Sequence, residues 1–575
     1  MKSIITDESW RPTTALNQPL PPSIAQVPSF KNSKAAFMLL LNDGHRNHYT
    51  LGTQFSIPDD LETPMYRVAF ETELPLTTNF VEYYLGKDDV AYADKLLSEA
   101  SHTCPGNQWA PIYVEIPVSQ TVKTGNYPVK IKIYQTSLTG AEVLVAEKEV
   151  QIMVADFALT PEPTKDFHLD VWQQPSNLAR TFHVPMWGDQ HFALIDEMAE
   201  KLAQIGQKTV TVIAGEIPWK GWFNYIVKDY PANLYEYSMV QVSKDSTGKL
   251  KCDFTVLDRY LASFAKRGID QEIEIFGLLG VWKPPFFPQV TIKDYPENLV
   301  VRYLDETTET MQFIDNVADL TNYVKALCDH LKDLQVWEKV RLIADEPKQA
   351  QLKEFKDALS ALKQMVPDLK VKVAFDKEPI LNELAPLVDT LATSFYCTSQ
   401  FGSQLQASHP GEVQYYICNY PDHPNTFLHS PLLETRLQGT LTAFLPVNGL
   451  LRWAFNCWPS NAREDIRYNT SSLPIGDNCL VYPGENGHLL LSLRYKQLER
   501  AVEDFSLIKS AKAADEKRTT AILEYFLKET TPQKWMEDSH CAAPKLFRQT
   551  LTDFDNLRKK LVSTMLKITE EPSNV

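Results

Sequence analysis

The chain has 575 residues, 57 of them Lys or Arg and 73 Asp or Glu, for a formal charge of −16. An acidic surface repels phosphate backbones, which sets nucleic-acid binding aside, and no apolar run approaches the ~20 residues that a membrane-spanning helix needs. Hydrophobic residues at 44% and charged ones at 23% are globular proportions.

The opening MKSIITDESWRPTT lacks the apolar core of a signal peptide, so a cytoplasmic location is expected. The eight cysteines are scattered without a CxxC pair and read as buried free thiols. His45 and His48 in GHRNH have no Cys or carboxylate cluster beside them and read as surface residues.

Residues 1–160 carry alternating, β-rich runs such as YRVAFETEL, APIYVEIPV and YPVKIKIYQT, separated by turn residues. They predict a β-sandwich, with a possible short helix near DDVAYADKLLSEA. The proline-rich PEPT stretch then reads as a linker.

Residues 165–500 change to alternating strands and helices. FHLDVWQQP, TVTVIAGEIPW, EIEIFGLLG, KVRLIADEP, LKVKVAFD, DTLATSFYC, EVQYYICNY and LLRWAFNCW supply eight strand candidates. A hairpin around YSMVQVSKDSTGKLKCDF and a Pro- and aromatic-rich excursion, VWKPPFFPQVTIKDYPENLVVRYLD, interrupt them. The order predicts a (β/α)₈ TIM barrel in an α/β multidomain chain. Residues 501–575 read as a helical segment packed on that barrel; Leu493, Leu498, Ala501, Val502 and Phe505 recur at helical spacing.

Barrel enzymes place their chemistry at the C-terminal ends of the strands. There the fourth strand ends in Asp345-Glu346-Pro347. Desolvation and mutual repulsion push one of two adjacent carboxylates up, giving one protonated and one ionised group, the division that glycoside cleavage requires. The competing reading is an acidic cap on the following helix. Other strand ends add Asp170 and Trp172, Glu216 and Trp219, Asp376, Tyr396, Asn419 and Tyr420, then Arg452, Trp453, Asn456 and Trp458. Aromatics stack on the apolar face of a sugar while amides and carboxylates address its hydroxyls, so a carbohydrate substrate is expected. The sequence holds no HExxH, Walker loop, GxSxG or Gly-rich dinucleotide fingerprint, and neither metal nor cofactor is expected.

GLLRWAFNCWPS (Gly449–Ser460), IGDNCLVYPG (Ile475–Gly484) and SLRYKQLERAVEDFSLI (Ser492–Ile508) give the resemblance its strongest stretch. In that order they resemble glycoside hydrolase family 123, and WAPIYVEIPVSQTVKTGNYPVKIKI resembles the family's accessory domain. Between Trp458 and Gly476 the family often carries an Asp-Pro-Tyr-type segment, where this chain has NAREDIRYNTSSLPI. The resemblance implies an exo-β-N-acetylgalactosaminidase that retains configuration by substrate assistance, the 2-acetamido group acting as nucleophile. It makes Glu346 the general acid/base and Asp345 the group that orients the acetamido. Tyr396 is the expected hydroxyl near the acetamido oxygen. Trp453 and Trp458 would form a stacking wall, while Arg452, Asn456 and Asp477 would bind hydroxyls or brace the rim. Two alternatives stay open. One is a glycosidase for another sugar, with Asp376 or Glu216 as a direct nucleophile; the other is a non-catalytic carbohydrate-binding protein.

Overall fold

The run SKAAFMLLL is too apolar for a strand with one wet face, and Ser33–Asn42 is indeed covered on both sides. In the computed structural model, which describes residues 1–159, 167–218, 235–279, 300–459, 461–466, 474–537, 547–548 and 550–566, side chains alternate across this strand. Ala35, Phe37, Leu39 and Leu41 enter a core shared by two sheets. Ala36, Met38 and Leu40 face the other way and pack with Leu432 and Leu493 of the C-terminal half.

The first sheet has five strands in the order Lys2–Asp7, Ser33–Asn42, Ala110–Val118, Thr77–Leu85, Ala91–Leu96. The second has six: Gln26–Lys31, Val143–Ala158, Gly125–Thr136, Met65–Glu71, Asn47–Leu51, Ser101–Cys104. Two expectations fail here. The segment DDVAYADKLLSEA forms the edge strand Ala91–Leu96 and no helix, because pairing with Thr77–Leu85 overrides its local pattern. His48 is buried, its Nδ1 2.8 Å from the Thr103 hydroxyl, whereas His45 is exposed.

Eight parallel strands then form one sheet: His168–Val171, Thr209–Ile213, Glu272–Phe276, Val340–Ala344, Val371–Phe375, Thr390–Ser394, Glu412–Tyr416 and Gly449–Arg452. They are called strands one to eight below. Strand one pairs with strand eight, so the sheet curls into a nearly closed barrel. The remaining seam, between strands one and two, has a single parallel bridge, Leu169 to Gln207. Side-chain amides supply what the ladder lacks. Gln207 Oε1 accepts from Val171 N (2.9 Å), and Gln173 Oε1 accepts from Thr211 N (2.7 Å). Buried backbone groups demand partners, and two glutamines provide them.

The predicted hairpin is present as Gln241–Lys244 and Leu250–Asp253. It belongs to a four-stranded sheet completed by Arg302–Asp305 and Thr310–Phe313. Most of the Pro- and aromatic-rich excursion lies outside the described residues, but its end supplies Arg302–Asp305.

Alternation in EIEIF puts Ile273 and Ile275 outward and Glu272 and Glu274 inward. Inside the barrel these two meet Asp170 from strand one and Lys372 from strand five, all buried. The Lys372 ammonium lies 2.6 Å from Asp170, 2.8 Å from Glu272 and 2.6 Å from Glu274. Three carboxylates this close resemble a cation cage, and the lysine supplies the cation. Burial pushes both glutamates up, but Lys372 reverses this for Glu272, which is held at about 2. Glu274, which also faces Asp170, stays far above the usual carboxylate range and keeps its proton.

The helix Leu493–Ala514 runs unbroken through residue 500 and is buried on nearly every side. Leu493, Leu498, Ala501, Val502 and Phe505 are all in the core. It lies against the helix Leu432–Phe444, where a side chain at Gly439 would overlap the Ala501 backbone. Arg494 pairs with Asp94 of the first sheet at 2.9 Å, and Arg500 with Glu8 at 2.9 Å, so charge as well as apolar packing ties the two halves together. The helices Glu516–Leu527 and Leu551–Met565 complete the segment, and Arg558 meets Asp504 at 2.5 Å. The seven described cysteines carry free thiols. Among the described residues no helix is long and apolar enough to cross a membrane.

Candidate active site

Asp345 and Glu346 sit where strand four leaves the sheet. The Glu346 amide still bonds to the Ala374 carbonyl of strand five (3.1 Å), but its φ is +37°. A left-handed backbone at a non-glycine residue, directly before proline, is strained and needs surrounding support. The break in regular geometry releases the two side chains from pointing to opposite faces. The following helical turn starts at Gln349 with Lys348 in the capping position. Glu346 spends its oxygens elsewhere, so the helix-cap reading does not describe it.

Glu346 Oε1 accepts from the hydroxyl of Tyr416, the last residue of strand seven, at 2.6 Å. Glu346 Oε2 accepts from Lys348 Nζ at 3.2 Å. The same ammonium lies 3.7 Å from Asp376, which directly follows strand five. Strands four, five and seven thus deliver their ends to one cluster. Asp345 is 8% exposed. Burial, the charge of Glu346 and that of Asp376 hold its carboxyl well above the usual range, against the pull of Lys348. Asp376 is pushed up by burial and by Glu346. Burial and the neighbouring Glu346 also keep the Tyr416 hydroxyl protonated, hence a donor.

The other expected site residues divide sharply. Arg452 ends strand eight and is buried, paired with Asp477 at 2.8 Å and donating to the Thr426 hydroxyl at 3.0 Å. Trp453 Nε1 donates to Asp477 Oδ2 at 3.1 Å. Asn456 grips Gln174 through both its amide atoms, at 3.1 and 3.0 Å, and ties strand eight to the loop after strand one. Arg452, Asn456 and Asp477 are thus all buried and bonded within the protein.

Two expectations are corrected. Trp458 is wholly buried, its indole donating to the Val481 carbonyl at 2.9 Å, so it belongs to the core and to no stacking wall. Trp172 is core too, packed edge-on against Phe276 with ring centroids 4.9 Å apart. Glu216 is held by Arg302 at 2.7 and 2.9 Å, which occupies both its oxygens. Asn419 is half-buried, its Oδ1 3.1 Å from Cys418 Sγ. Tyr396 is half-buried in the first turn after strand six, and the hydroxyl that reaches the carboxylate pair is that of Tyr416 instead. Trp219 lies outside the described residues.

Three residues escaped the sequence reading, one of them Lys348, which directly follows the Asp345-Glu346-Pro347 tripeptide. Tyr416 had a usable signal, being the final inward-turning residue of strand seven. Glu236 had none. It is buried beside the helix Pro175–Phe182, accepts from Ser176 N at 2.9 Å, and burial pushes its carboxyl up to about 7.

Adjacent carboxylates at a barrel's C-terminal rim, one buried and proton-holding, match one chemistry well, and the sequence comparison agrees with it. Residues 172–511 match the family model described as "Glycoside hydrolase 123, catalytic domain". The chain belongs to glycoside hydrolase family 123. A family 123 glycoside hydrolase from Clostridium perfringens, studied for glycolipid glycan hydrolysis, superposes with a TM-score of 0.73 at 13% identity. The match covers 98% of this chain and 99% of that one, so the shared fold extends beyond the family 123 catalytic region into the N-terminal sheets. A β-D-glucuronidase from Dictyoglomus thermophilum also aligns, over 83% of this chain and 68% of its own, with 9% identity and a TM-score of only 0.29. No curated protein matches the sequence. As a family 123 member the protein is a glycosidase, and its substrates are carbohydrates.

Proposed function

We propose that the protein is a retaining, exo-acting β-N-acetylgalactosaminidase-like hydrolase that works on short glycans by substrate assistance, its (β/α)₈ barrel carrying a β-sandwich accessory domain. The observation that carries this is the contrast within the Asp345-Glu346 pair: one buried and proton-holding, the other presented to Tyr416 and Lys348. Burial and the neighbouring Glu346 keep a proton on Asp345, and as substrate binds that proton passes through solvent to Glu346, leaving Asp345 ionised. An acetamido N–H entering beside it offers the donor that an ionised carboxylate needs, and the positive charge that develops as the acetamido oxygen attacks C1 favours that ion further. Glu346 protonates the departing glycosidic oxygen and then takes a proton from the attacking water. Asn419 and Tyr396 are the partly accessible groups left to contact the sugar, whereas Trp453 is buried with its indole on Asp477, and Arg452, Asn456 and Asp477 hold the rim. A terminal residue of a glycolipid glycan, the substrate class of the Clostridium relative, falls within this range.

A second reading has one observation in its favour: Lys348 bridges Glu346 and Asp376, so Asp376 is near enough to be weighed as a direct nucleophile. Glu216, spent on Arg302, does not share that position. A thiazoline analogue of the bicyclic intermediate separates the two, since only the substrate-assisted route passes through such a ring. Competitive inhibition is expected. An inert thiazoline alongside clear glycosidase activity would overturn the first reading in favour of the second.

A further inference from the structure

Glu346 has both oxygens engaged, by partners of unlike character. Tyr416 is buried at the end of a strand, so its grip on Oε1 is fixed. Lys348 sits in the loop after the carboxylate pair with its side chain 51% exposed, so its grip on Oε2 is adjustable. A lysine ammonium offers three donors and no acceptor. An Oε2 that carries a proton loses its charge and becomes a donor and a poor acceptor, so its hold on Lys348 weakens. A second acceptor waits nearby: Asp376 Oδ2 is 3.7 Å from the same nitrogen, and Asp376 Oδ1 is buried without a hydrogen-bond partner among the described residues.

We propose that Lys348 is a positioning residue that changes partners during the reaction, held by Asp376 while Glu346 carries its proton and by Glu346 once that proton has left. The proposal rests on the reading of Glu346 as the acid/base. The steps balance without any further reagent. The Oε2 proton passes to the glycosidic oxygen as the C1–O bond breaks, its electron pair leaving with that oxygen while the acetamido oxygen bonds to C1. The new carboxylate draws Lys348 from Asp376. When water attacks C1, the bond from C1 to the acetamido oxygen breaks and its electron pair returns to the acetamido group, the proton of the water goes to Oε2, and Lys348 returns to Asp376. The ammonium keeps all its protons throughout. The structure, with Nζ closer to Glu346 than to Asp376, corresponds to the second arrangement.

The partner exchange also assigns the two oxygens. Tyr416 keeps Oε1 and sets the plane of the carboxylate, so Oε2 is the oxygen that faces the leaving group. Among the described residues, the titratable groups facing Glu346 are Asp345 beside it, Lys348, Asp376, Cys397 after strand six, and Tyr416 and Cys418 on the strand-seven side. Lys377 adjoins Asp376. Of these, Lys348 and Asp376 are the pair with opposite charge and a shared contact, and that gives the test its sign.

The test is the pH profile of kcat/KM on a 4-nitrophenyl β-N-acetylgalactosaminide, using the full chain as wild type, Lys348→Met, Lys348→Arg and Asp376→Asn. The first step needs Glu346 protonated, so activity falls on the basic side as that proton is lost. Removing the ammonium makes the loss harder, and the basic limb of Lys348→Met moves to higher pH by about 0.5–1 unit. Asp376→Asn removes the repelling charge and leaves Lys348 to Glu346 alone, so its limb moves to lower pH by a similar amount. Lys348→Arg keeps the charge and restores the wild-type limb. A merely structural role would lower rates without opposite shifts. Limbs that stay put, or move together, in two active variants overturn the exchange. Glu346→Gln in the same series keeps the questions apart: a fully active Glu346→Gln overturns the acid/base reading itself, whereas an inactive one with unmoved limbs overturns only the role of Lys348.

Discussion

The Tyr416 hydroxyl donates to Glu346 Oε1 at 2.6 Å and so joins the end of strand seven to the end of strand four, across the mouth of the barrel. A hydrogen bond to a charged group is worth about 1.5–3 kcal/mol. Tyr416→Phe keeps the ring and removes only the donor. We expect kcat to fall about 10–100-fold while KM changes little. Steady-state kinetics on an aryl glycoside measure this, and an unchanged kcat would remove Tyr416 from the machinery.

Trp458 separates packing from recognition. It lies in the most recognisable motif of the chain, yet it is fully buried and its indole N–H is spent on Val481. Trp458→Ala is expected to cost about 3–5 kcal/mol of stability. Urea unfolding checks this, and a variant of wild-type stability with a raised KM would return the residue to the sugar wall.

The barrel interior depends on one lysine. Lys372 compensates Asp170 and Glu272 in a site with no access to water. Breaking a buried ion cluster by deleting one partner is strongly destabilising. Lys372→Met should lower stability by about 3–5 kcal/mol or prevent folding, read as the shift in urea midpoint. A variant as stable as wild type would contradict the cluster as drawn.

Glu236 gives stability a pH dependence. Its carboxyl is raised to about 7 in the folded protein by burial, from an ordinary value of 4.5. The folded state therefore binds this proton more tightly than the unfolded chain does. Stability from this group is complete below the unfolded value and is lost as pH rises to about 7. Glu236→Gln removes that loss and should gain on wild type across the window, up to about 3 kcal/mol at its upper end. Midpoints measured at several pH values check it; a constant difference would show that Glu236 does not titrate there.

How much of this was legible in the sequence follows from what local patterns encode. The eight barrel strands could be found because each is a short apolar run bounded by turn or helix signals, and Asp345-Glu346 could be found because an acidic pair closes one of them. Facing was harder. EIEIF alternates as a half-wet strand would, but in a closed barrel the inward side is a core, and its two glutamates turn out to be buried beside Lys372. EVQYYICNY reads as one strand, yet pairing stops at Tyr416, so the expectation of Asn419 and Tyr420 at the strand's end fell a few residues too far along. Trp172 and Trp458 sit at the right end of their strands but point into the protein, which no residue count reveals. Glu236 gains its character from burial against a helix sixty residues earlier in the chain, where it meets Ser176, and local sequence does not carry that long-range packing.

The central claim is that Asp345 and Glu346 together perform the chemistry, Glu346 moving the proton and Asp345 managing the acetamido group. The most direct measurement is turnover of a panel of aryl β-glycosides by wild type, Glu346→Gln and Asp345→Asn, with circular dichroism confirming that each variant is folded. Activity is predicted on the 2-acetamido sugars, with both variants slower by at least ~10²-fold. A folded Glu346→Gln or Asp345→Asn that turns over the same sugars at close to the wild-type rate would contradict the account.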